Sequence, residues 1–456
     1  MKRRTPEWMS FARSILERLR AAEGLAGSRG DARGEEADDA RPARSRRAKP
    51  PQPIEHRLLL TATFCLLAGG AVMVYSASSA RTLLQGEGDG TAYLVKYLIY
   101  GGAGLIAMQV LARRGLQTIR DATPLLLLAS FVMLVLVLIP GFGVHINGAR
   151  RWLGAGPLQF QPSEVMKLAL VLHVAAVLSA RPHLVRHLRG VLGPVIGVGF
   201  AAVLLIFAQP DLGTSLVICF TMAAMLVAAG VPLRQLGLVA AVGAALILLV
   251  AIIEPYRRAR LTAFLNPWAD AGDSGFQAVQ GQIAMGSGGL FGLGPGQSVQ
   301  KIFYLPEAHT DFILAVIGEE LGVVGVCCLL SLYGMIAYAG LRTAKAAKGA
   351  YAKLLAAGLT SLILCQALLN VYAVLGLAPL TGVPLPFISS GSTSLIVLLC
   401  SMGILLNIAG GGSAHLRAVP QRPRRRPDDR ATDRDRGGRD GRARGPGDRG
   451  RRRAAG

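Results

Sequence analysis

The stretch YLPEAHTDFILAVIGEELG, residues 304–322, joins a polar patch to an apolar helix that carries two adjacent acids. Its ionisable residues include Glu307, His309, Asp311, Glu319 and Glu320. A carboxylate inside a bilayer is costly, so an ionisable residue in a spanning segment needs a polar partner or a function. The position of these five residues relative to a membrane therefore decides how the chain is interpreted.

The surrounding sequence is typical of a polytopic membrane protein. Of the 456 residues, 52% are hydrophobic and only 17% are charged. A spanning helix needs about 20 mostly apolar residues to cross about 30 Å of hydrocarbon. Ten stretches meet this need, near residues 58–80, 92–112, 122–140, 164–180, 191–209, 212–230, 236–254, 312–339, 354–378 and 390–410. We therefore predict an all-α bundle of ten transmembrane helices.

Two basic tails flank the predicted membrane domain, which covers residues 58–410. Residues 1–57 hold 14 Lys and Arg against nine acids, and residues 411–456 hold 15 Arg against six acids. Both tails are poor in aromatic residues and are predicted to be disordered, because they cannot form a core. Their charge is compatible with nucleic-acid binding or with contact to anionic lipid, and the adjoining spans favour lipid. No nucleic-acid partner is predicted.

The first apolar stretch lies behind some 57 hydrophilic residues, so it is predicted to be an uncleaved signal anchor. The six cysteines all fall inside predicted spans without paired or metal-binding spacing. They are predicted to be small packing residues, and no disulfide is expected.

The orientation follows from the basic residues of the loops. A cytoplasmic N-terminus places the loops 113–121, 181–190, 231–235 and 340–353 inside. These loops hold eleven Lys and Arg, and Asp121 is their only acid. This agrees with the positive-inside rule, and an even number of spans returns the C-terminus to the cytoplasm. The loop between helices 7 and 8, residues 255–311, is then long and extracytoplasmic.

Two basic clusters lie on the outer side, against this rule. They consist of Arg150 and Arg151, and of Arg257, Arg258 and Arg260. Two causes are open. The clusters pair with local acids or lipid headgroups, or they bind an anionic ligand on the outer leaflet, since guanidinium groups bind phosphates in a bidentate manner.

The fourth predicted helix begins with a charged pair. Pro162 and Ser163 open the helix, and Glu164 and Lys167 are spaced i, i+3 on one face. Lys167 would lie about one turn into the membrane, where an ionisable residue is a candidate for function. A purely structural Glu164–Lys167 pair is the alternative.

The long outer loop contains a glycine-rich segment, GQIAMGSGGLFGLGPGQSVQK, at residues 281–301. Its glycines match no phosphate-binding signature, so a mobile loop is the better interpretation. Its apolar members, among them Met285 and Phe291, indicate that part of it lies against lipid or the bundle. Such a loop is suited to admit and cover a large substrate.

The acids of the opening stretch divide into two groups. Thr310 or Asp311 would cap the eighth helix in a structural interpretation, whereas a functional one makes Asp311 an accessible base at the membrane surface. Glu319 lies eight positions further on, about 12 Å deeper. We predict that Glu319 and Glu320 lie inside the bundle, bonded to polar groups of neighbouring helices.

Several motifs together resemble the family of shape, elongation, division and sporulation proteins (SEDS), which has ten spans. The motifs are YSASS (75–79), GARRW (148–152), FQPSEVMK (160–167), QPDLGTS (209–215), FLNPW (264–268), GSGGLFGLGPGQSVQK (286–301), YLPEAHTDFI (304–313), GEELG (318–322) and GLAPLTGVPLPFISSG (376–391). The wording VMVYSASS, PEAHTDFI and NPW is more similar to the division members than to the elongation members. One departure is SSGSTS at residues 389–394, where the family usually has SYGGSS. Because of this departure, the sequence does not establish how the ninth and tenth predicted spans, near 354–378 and 390–410, pack against each other.

The resemblance implies a peptidoglycan glycosyltransferase that polymerises lipid II on the outer face of the bacterial inner membrane, at the division septum, and releases undecaprenyl diphosphate. It implies that Asp311 is the essential acid. The RRW, PSE and HTD motifs place Arg150, Arg151, Glu164, Lys167 and His309 among the substrate-binding residues. Arg257, Arg258 and Arg260 are further candidates for the phosphates.

In this chemistry Asp311 acts as general base for the acceptor 4-hydroxyl, and positive charge stabilises the departing pyrophosphate. A divalent cation, Mg²⁺ or Mn²⁺, is a candidate cofactor with no assigned site, and no organic cofactor is expected. The chain has no S-x-x-K motif in an outer domain, so crosslinking requires a partner. The resemblance names a class B penicillin-binding protein and other divisome proteins.

Two rival functions remain open at this point. A lipid II flippase would also use outer basic residues and intramembrane charges, but its charges would line a path through both leaflets. A non-enzymatic division scaffold would tolerate Asp311→Asn.

Overall fold

The computed structural model describes residues 52–84, 90–146, 149–155, 158–183, 188–253, 263–272, 275–302, 305 and 308–411. Most of the N-terminal tail and almost all of the C-terminal tail lie outside these ranges, so their disorder stays a prediction. Within the described residues the chain is mostly helical.

Twelve α-helices form the framework of the described residues. They are α1 (Ile54–Leu84), α2 (Ala92–Arg113), α3 (Leu116–Leu138), α4 (Pro162–Ala180), α5 (Leu188–Val191), α6 (Val198–Phe207), α7 (Leu212–Ala229), α8 (Leu233–Ile253), α9 (Phe276–Ser287), α10 (Ile313–Ala346), α11 (Ala350–Val374) and α12 (Ser392–Ala409). A π-helical segment, Leu192–Gly197, joins α5 to α6.

Eight helices in the described ranges are long and apolar enough to cross a membrane: α1, α2, α3, α4, α7, α10, α11 and α12. Two shorter apolar helices, Gly193–Phe207 and Leu233–Gly243, stand where the fifth and seventh spans were predicted. The prediction of a helical, multi-pass membrane protein is confirmed, while the count of ten spans stays a prediction. All six cysteines are free thiols.

The centre of the bundle is formed by α4, α11 and α12, which are the most buried spans. α10 packs between α1 and α11, and α2 packs along α12. Two glycines permit the close contact of α2 and α12. A Cβ atom at Gly403 would overlap the Met108 backbone, and one at Gly104 would overlap Leu399. The helices thus surround a core in which polar side chains have defined positions.

A small antiparallel sheet, which the sequence analysis did not predict, lies between α3 and α4. Its strands are β1 (Gly143–Ile146), β2 (Ala149–Ala155) and β3 (Leu158–Phe160), in the order β1-β2-β3. The sequence between β1 and β2 is Asn147-Gly148, a dipeptide that favours tight hairpin turns. β2 carries Arg150 and Arg151, so the sheet fixes the position of the RRW motif.

The polar elements gather at one end of the bundle. We call the end that carries Asp311 the site end, and the opposite end, which carries Arg114, Arg120 and Arg342, the basic end. The site end is the one predicted to face outward. At the basic end Arg342 pairs with Glu55 at 3.0 Å, and the Arg120 guanidinium lies 5.4 Å from the Tyr351 ring centre.

The long loop contains a helix that packs on the bundle. Val279 and Ala284 of α9 are buried, Gly281 lies against the Phe312 ring, and Met285 contacts Gly318. Five apolar side chains between residues 276 and 301 are exposed instead: Ile283, Leu290, Phe291, Leu293 and Val299. The described part of the loop from residue 276 to residue 301 is therefore folded against α10, as expected from its apolar members, while its mobility stays a prediction.

Candidate active site

Asp311 stands just before α10 and does not cap it. The N-cap position is Phe312, and no side chain caps this helix. The capping interpretation was wrong because the first helical residue is Ile313, which moves the cap one residue past Asp311. Asp311 therefore stands one residue before the N-cap position of α10.

The backbone and the side chain of Asp311 are held from two directions. Thr310 Oγ1 donates to Asp311 Oδ1 at 3.1 Å. Asn370 Nδ2, on α11, donates to Asp311 O at 2.7 Å and to Val383 O at 2.8 Å. Gly382 lies so close that a Cβ atom there would be 3.7 Å from Asp311 Oδ2. The carboxylate is therefore half-buried beside the turn that follows α11.

That turn is anchored by two tyrosines. Tyr97 OH contacts Phe387 O at 2.5 Å, and Tyr333 OH donates to Pro386 O at 2.6 Å. Between them Phe387 has a φ of 65°, which is strained for a residue with a side chain. Strain of this kind persists only where surrounding contacts enforce it, and here helices α2 and α10 supply those contacts.

The residues that depart from the usual family wording make contacts of their own. Ser390 donates from its backbone N, at 3.1 Å, and from Oγ, at 2.8 Å, to His309 O. Ser389 Oγ accepts from Leu385 N at 2.8 Å, and Thr393 Oγ1 accepts from Gln161 N at 3.2 Å. SSGSTS thus joins α12 to the Asp311 loop and to the start of α4.

His309 belongs to a short stack that the sequence analysis missed. The Tyr93 and His309 rings lie 4.3 Å apart, and Lys96 Nζ lies 5.5 Å from the Tyr93 ring centre. Lys96 is exposed, so it places a positive charge near the Asp311 loop. It was overlooked because it falls within an apolar run, although a lysine in such a run is itself a signal.

Glu164 and Lys167 form the structural pair that was one of two alternatives. Glu164 lies in the first turn of α4, and its Oε1 is 2.9 Å from Lys167 Nζ. Lys167 also donates to Gln366 Oε1 at 2.7 Å, and Gln366 Nε2 donates to Pro384 O at 3.0 Å and contacts Ser394 Oγ at 3.2 Å. Both members of the pair are buried, so they link α4 to the turn beside Asp311.

The two arginines of the RRW motif are placed differently. Arg150 is exposed on β2. Arg151 donates from Nε to Gln209 O at 3.1 Å and from its other nitrogen to Pro210 O. Next to this turn Asp211 caps α7 by accepting from Thr214 N at 3.1 Å. Arg151 therefore pairs with backbone carbonyls rather than with an acid.

Three predicted phosphate ligands, Arg257, Arg258 and Arg260, lie outside the described residues. Within the described ranges, no group of three or more His, Cys, Asp or Glu side chains is placed to hold a metal ion.

Glu319 and Glu320 are buried inside the bundle, as predicted. Their partners differ from the prediction. Glu320 bonds to Ser76 of α1, a neighbouring helix, and to Lys301, whereas Glu319 accepts from Ser298 and Val299. Most partners therefore come from the long loop, which a helix-only interpretation did not include.

Taken together, the fold and the site define a multi-pass helical membrane protein whose buried charged side chains, among the described residues, gather toward one end. Buried charged side chains in the described ranges are Glu164, Asp211, Lys167, Lys301, Glu319 and Glu320. All of them lie in the site-end half of the bundle.

Comparison with known proteins identifies the family to which this membrane protein belongs. The family described as cell cycle protein, named after FtsW, RodA and SpoVE, matches residues 56–412. The chain belongs to this family, which is the SEDS family that its motifs indicate.

Among its relatives is stage V sporulation protein E of Bacillus subtilis, 41% identical over 352 residues, which cover 77% of this chain and 96% of that protein. A probable peptidoglycan glycosyltransferase FtsW of Geobacter sp. is 40% identical over 358 residues, with 77% and 96% covered. The protein of that name from Coxiella burnetii is 40% identical over 356 residues, with 77% and 95% covered.

Two solved structures share the fold. One belongs to a peptidoglycan synthase complex that coordinates polymerization and crosslinking, with a TM-score of 0.64, 31% identity and coverage of 77% of this chain and 96% of that one. The other is the rod shape determining protein RodA of Thermus thermophilus, with a TM-score of 0.57, 30% identity and coverage of 77% and 95%.

Proposed function

We propose that this chain is a peptidoglycan glycosyltransferase that polymerises lipid II into glycan strands at the division septum and releases undecaprenyl diphosphate. Family membership and the names of the relatives support the activity. The septal role rests on the wording of the motifs and on relatives named FtsW.

The observation that carries the chemical assignment is the setting of Asp311. Asp311 is half-buried one residue before the N-cap position of α10, and Asn370 Nδ2 holds its backbone oxygen at 2.7 Å. A general base needs a fixed position within hydrogen-bond reach of the proton it removes. Asp311 is therefore assigned to deprotonate the 4-hydroxyl of the acceptor sugar. A single direct displacement then inverts the donor carbon as the lipid pyrophosphate leaves.

The leaving pyrophosphate needs positive charge near that carbon. Exposed Arg150 and Lys96 are suited to contact it, together with Arg257, Arg258 and Arg260 of the long loop. Arg151 and Lys167 serve the same site by holding the turns around it, because their donors are already bonded to protein groups. Mg²⁺ or Mn²⁺ is a proposed cofactor that would add positive charge next to the phosphates, and no step is assigned to it.

The distribution of buried charge favours polymerisation over transport. A flippase moves an anionic headgroup through both leaflets, so charged groups are expected along the whole path. The buried charged residues of the described ranges lie only at the site end. The opposite halves of α4, α10 and α11 present no buried charge toward a path.

The proposed partner is a class B penicillin-binding protein, which would supply crosslinking. The structural likeness to a member of a peptidoglycan synthase complex supports this pairing. Other divisome proteins are proposed regulators. The proposed location is the bacterial inner membrane, with both termini in the cytoplasm and the site end outside.

The test is glycan synthesis from purified lipid II, with and without the partner. Asp311→Asn keeps the shape of the side chain but removes the base, so no polymer is expected. Asp121→Asn, an exposed acid at the basic end, is the matched control and should polymerise normally. Normal glycan strands from Asp311→Asn would overturn the assignment of the base, and no polymer from the unaltered chain with its partner would overturn the function.

A further inference from the structure

The long loop fills a break in α10. At Gly322 the helix loses its helical dihedral angles, with φ 65° and ψ −164°. In an unbroken helix, Val323 N would bond to Glu319 O and Val324 N to Glu320 O. Instead the segment 288–301, which we call the docked segment, supplies all four groups with new partners.

The four new bonds are Leu293 N to Glu319 O at 2.9 Å, Gly294 N to Glu320 O at 3.0 Å, Val323 N to Gly289 O at 3.0 Å and Val324 N to Leu290 O at 3.1 Å. The break therefore leaves none of these backbone groups without a partner. Glycines permit the close approach, since a Cβ atom at Gly288 or Gly292 would overlap the α10 backbone. The docked segment therefore completes the backbone hydrogen bonding of α10 at the break.

The side chains of Glu319 and Glu320 also bind the docked segment, through hydrogen bonds and an ion pair. Glu319 Oε2 accepts from Ser298 Oγ at 2.5 Å, and Oε1 accepts from Val299 N at 2.9 Å. Glu320 Oε1 lies 2.7 Å from Lys301 Nζ, and this pair is almost wholly buried, with Lys301 4% and Glu320 0% exposed. Ser76 Oγ donates to Glu320 at 2.7 Å, which joins α1 to the pair.

This ion pair joins two points of the chain, Lys301 and Glu320, that flank Asp311 in the sequence. Lys301 is bound to Glu320, and α10 begins at Ile313, seven residues or about 10 Å of helix before Glu320. The eleven residues between Lys301 and Ile313 include His309 and Asp311. Both ends of this catalytic segment are therefore fixed to α10.

We propose that Lys301 and Glu320 are positioning residues for Asp311, and this inference rests on the proposed function. The pair sets where the catalytic segment starts, and α10 sets where it ends. Neither residue touches substrate. A shift of the segment by about 1 Å moves the base out of reach of the acceptor hydroxyl, and displacement on this scale costs about 100-fold in rate.

The test compares Lys301→Met, Glu320→Gln and the double variant in lipid II polymerisation and in thermal unfolding. Each single variant leaves one buried charge without its partner, so both should lose stability. The double variant removes both charges and should regain most of the melting temperature. Its kcat should nevertheless stay at least about tenfold below that of the unaltered chain, with KM for lipid II within about twofold.

A folded double variant with unaltered kcat would overturn the inference, because the pair would then be structural only. A raised KM with unaltered kcat would also overturn it. Should the double variant fail to accumulate, Ser76→Ala removes one hydroxyl from the pair and should lower kcat about threefold at constant KM. An unchanged kcat in that variant would contradict the positioning role.

Asp311→Asn in the same assay separates this inference from the proposed function. If Asp311→Asn is inactive and the Lys301→Met, Glu320→Gln double variant is fully active, the positioning role is wrong and the proposed function still stands. An active Asp311→Asn defeats the assignment of the base, whatever the double variant does.

Discussion

Asn370 connects directly to Asp311, since its Nδ2 donates to the Asp311 backbone oxygen at 2.7 Å. The same nitrogen donates to Val383 O at 2.8 Å. One amide on α11 therefore holds the loop before α10 and the turn before α12 against each other. The half-buried carboxylate of Asp311 depends on both.

Asn370→Ala should lower glycan synthesis strongly and destabilise the protein by about 2 kcal/mol, because two backbone oxygens lose their donor. Asn407 is a matched control. It bridges Leu111 O, at 3.0 Å, and Arg114 O, at 2.5 Å, in the same way at the basic end. Asn407→Ala should shift the melting temperature similarly and leave the kcat of lipid II polymerisation unchanged. Equal losses of activity in both variants would show that Asn370 acts through stability alone.

The neighbouring arginines Arg150 and Arg151 should respond differently to alanine substitution. Arg150 is exposed, so Arg150→Ala should raise KM for lipid II about fivefold at low salt, and the effect should shrink as salt screens the phosphate contact. Arg151→Ala leaves the carbonyls of Gln209 and Pro210 without their donor and should cost about 1–3 kcal/mol of stability. Its effect should not depend on salt. A salt-dependent KM for Arg151→Ala would place its guanidinium on the substrate.

The buried pair of Glu164 and Lys167 predicts a non-additive response. Lys167→Met leaves an unpaired buried carboxylate and should destabilise the protein by about 3–5 kcal/mol. Adding Glu164→Gln removes that charge and should recover much of the loss. The melting temperatures of the two single variants and the double variant measure the coupling. Losses that simply add would mean that the 2.9 Å contact contributes nothing.

Gly292 should be intolerant of substitution. Its φ is 79°, and a Cβ atom would overlap the Glu320 carbonyl in the break of α10. Gly292→Ala should therefore cost more than about 2 kcal/mol. Gly286 is the control, because it lies in α9 with open space around it. Gly286→Ala should be neutral or stabilise the protein by up to about 1 kcal/mol, and a tolerated Gly292→Ala would argue against the docking described above.

Local signals in the sequence were sufficient for the helices and for some of the contacts. Apolar runs located the spans, and Pro162 with Glu164 marked the start of α4. The i, i+3 spacing placed Glu164 and Lys167 on one helix face and made their pairing one of two interpretations, because both residues lie on one turn of one helix. These inferences succeeded because the interacting groups are close in the chain.

Contacts between distant parts of the chain could not be predicted in this way. Ser76 and Glu320 are 244 positions apart, and no pattern in either segment indicates the other. For Arg151 the sequence left local pairing and an anionic ligand open, and it gave no sign of the carbonyls 58 and 59 residues away to which its guanidinium donates. The prediction that Thr310 or Asp311 is the N-cap failed for a different reason. The N-cap is Phe312, only one residue further on, and sequence propensities do not locate a helix start to within one residue.

The break at Gly322 also has a consequence for biogenesis. Residues 322–341 contain no charged side chain over 20 positions, which is enough to cross about 30 Å of hydrocarbon. This part of α10 can enter the bilayer by itself during synthesis. Residues 313–321, with Glu319 and Glu320, lie on the other side of the break, and their partners belong largely to the docked segment that precedes them in the chain. The apolar length needed to span a bilayer and the two buried acids therefore belong to different parts of α10.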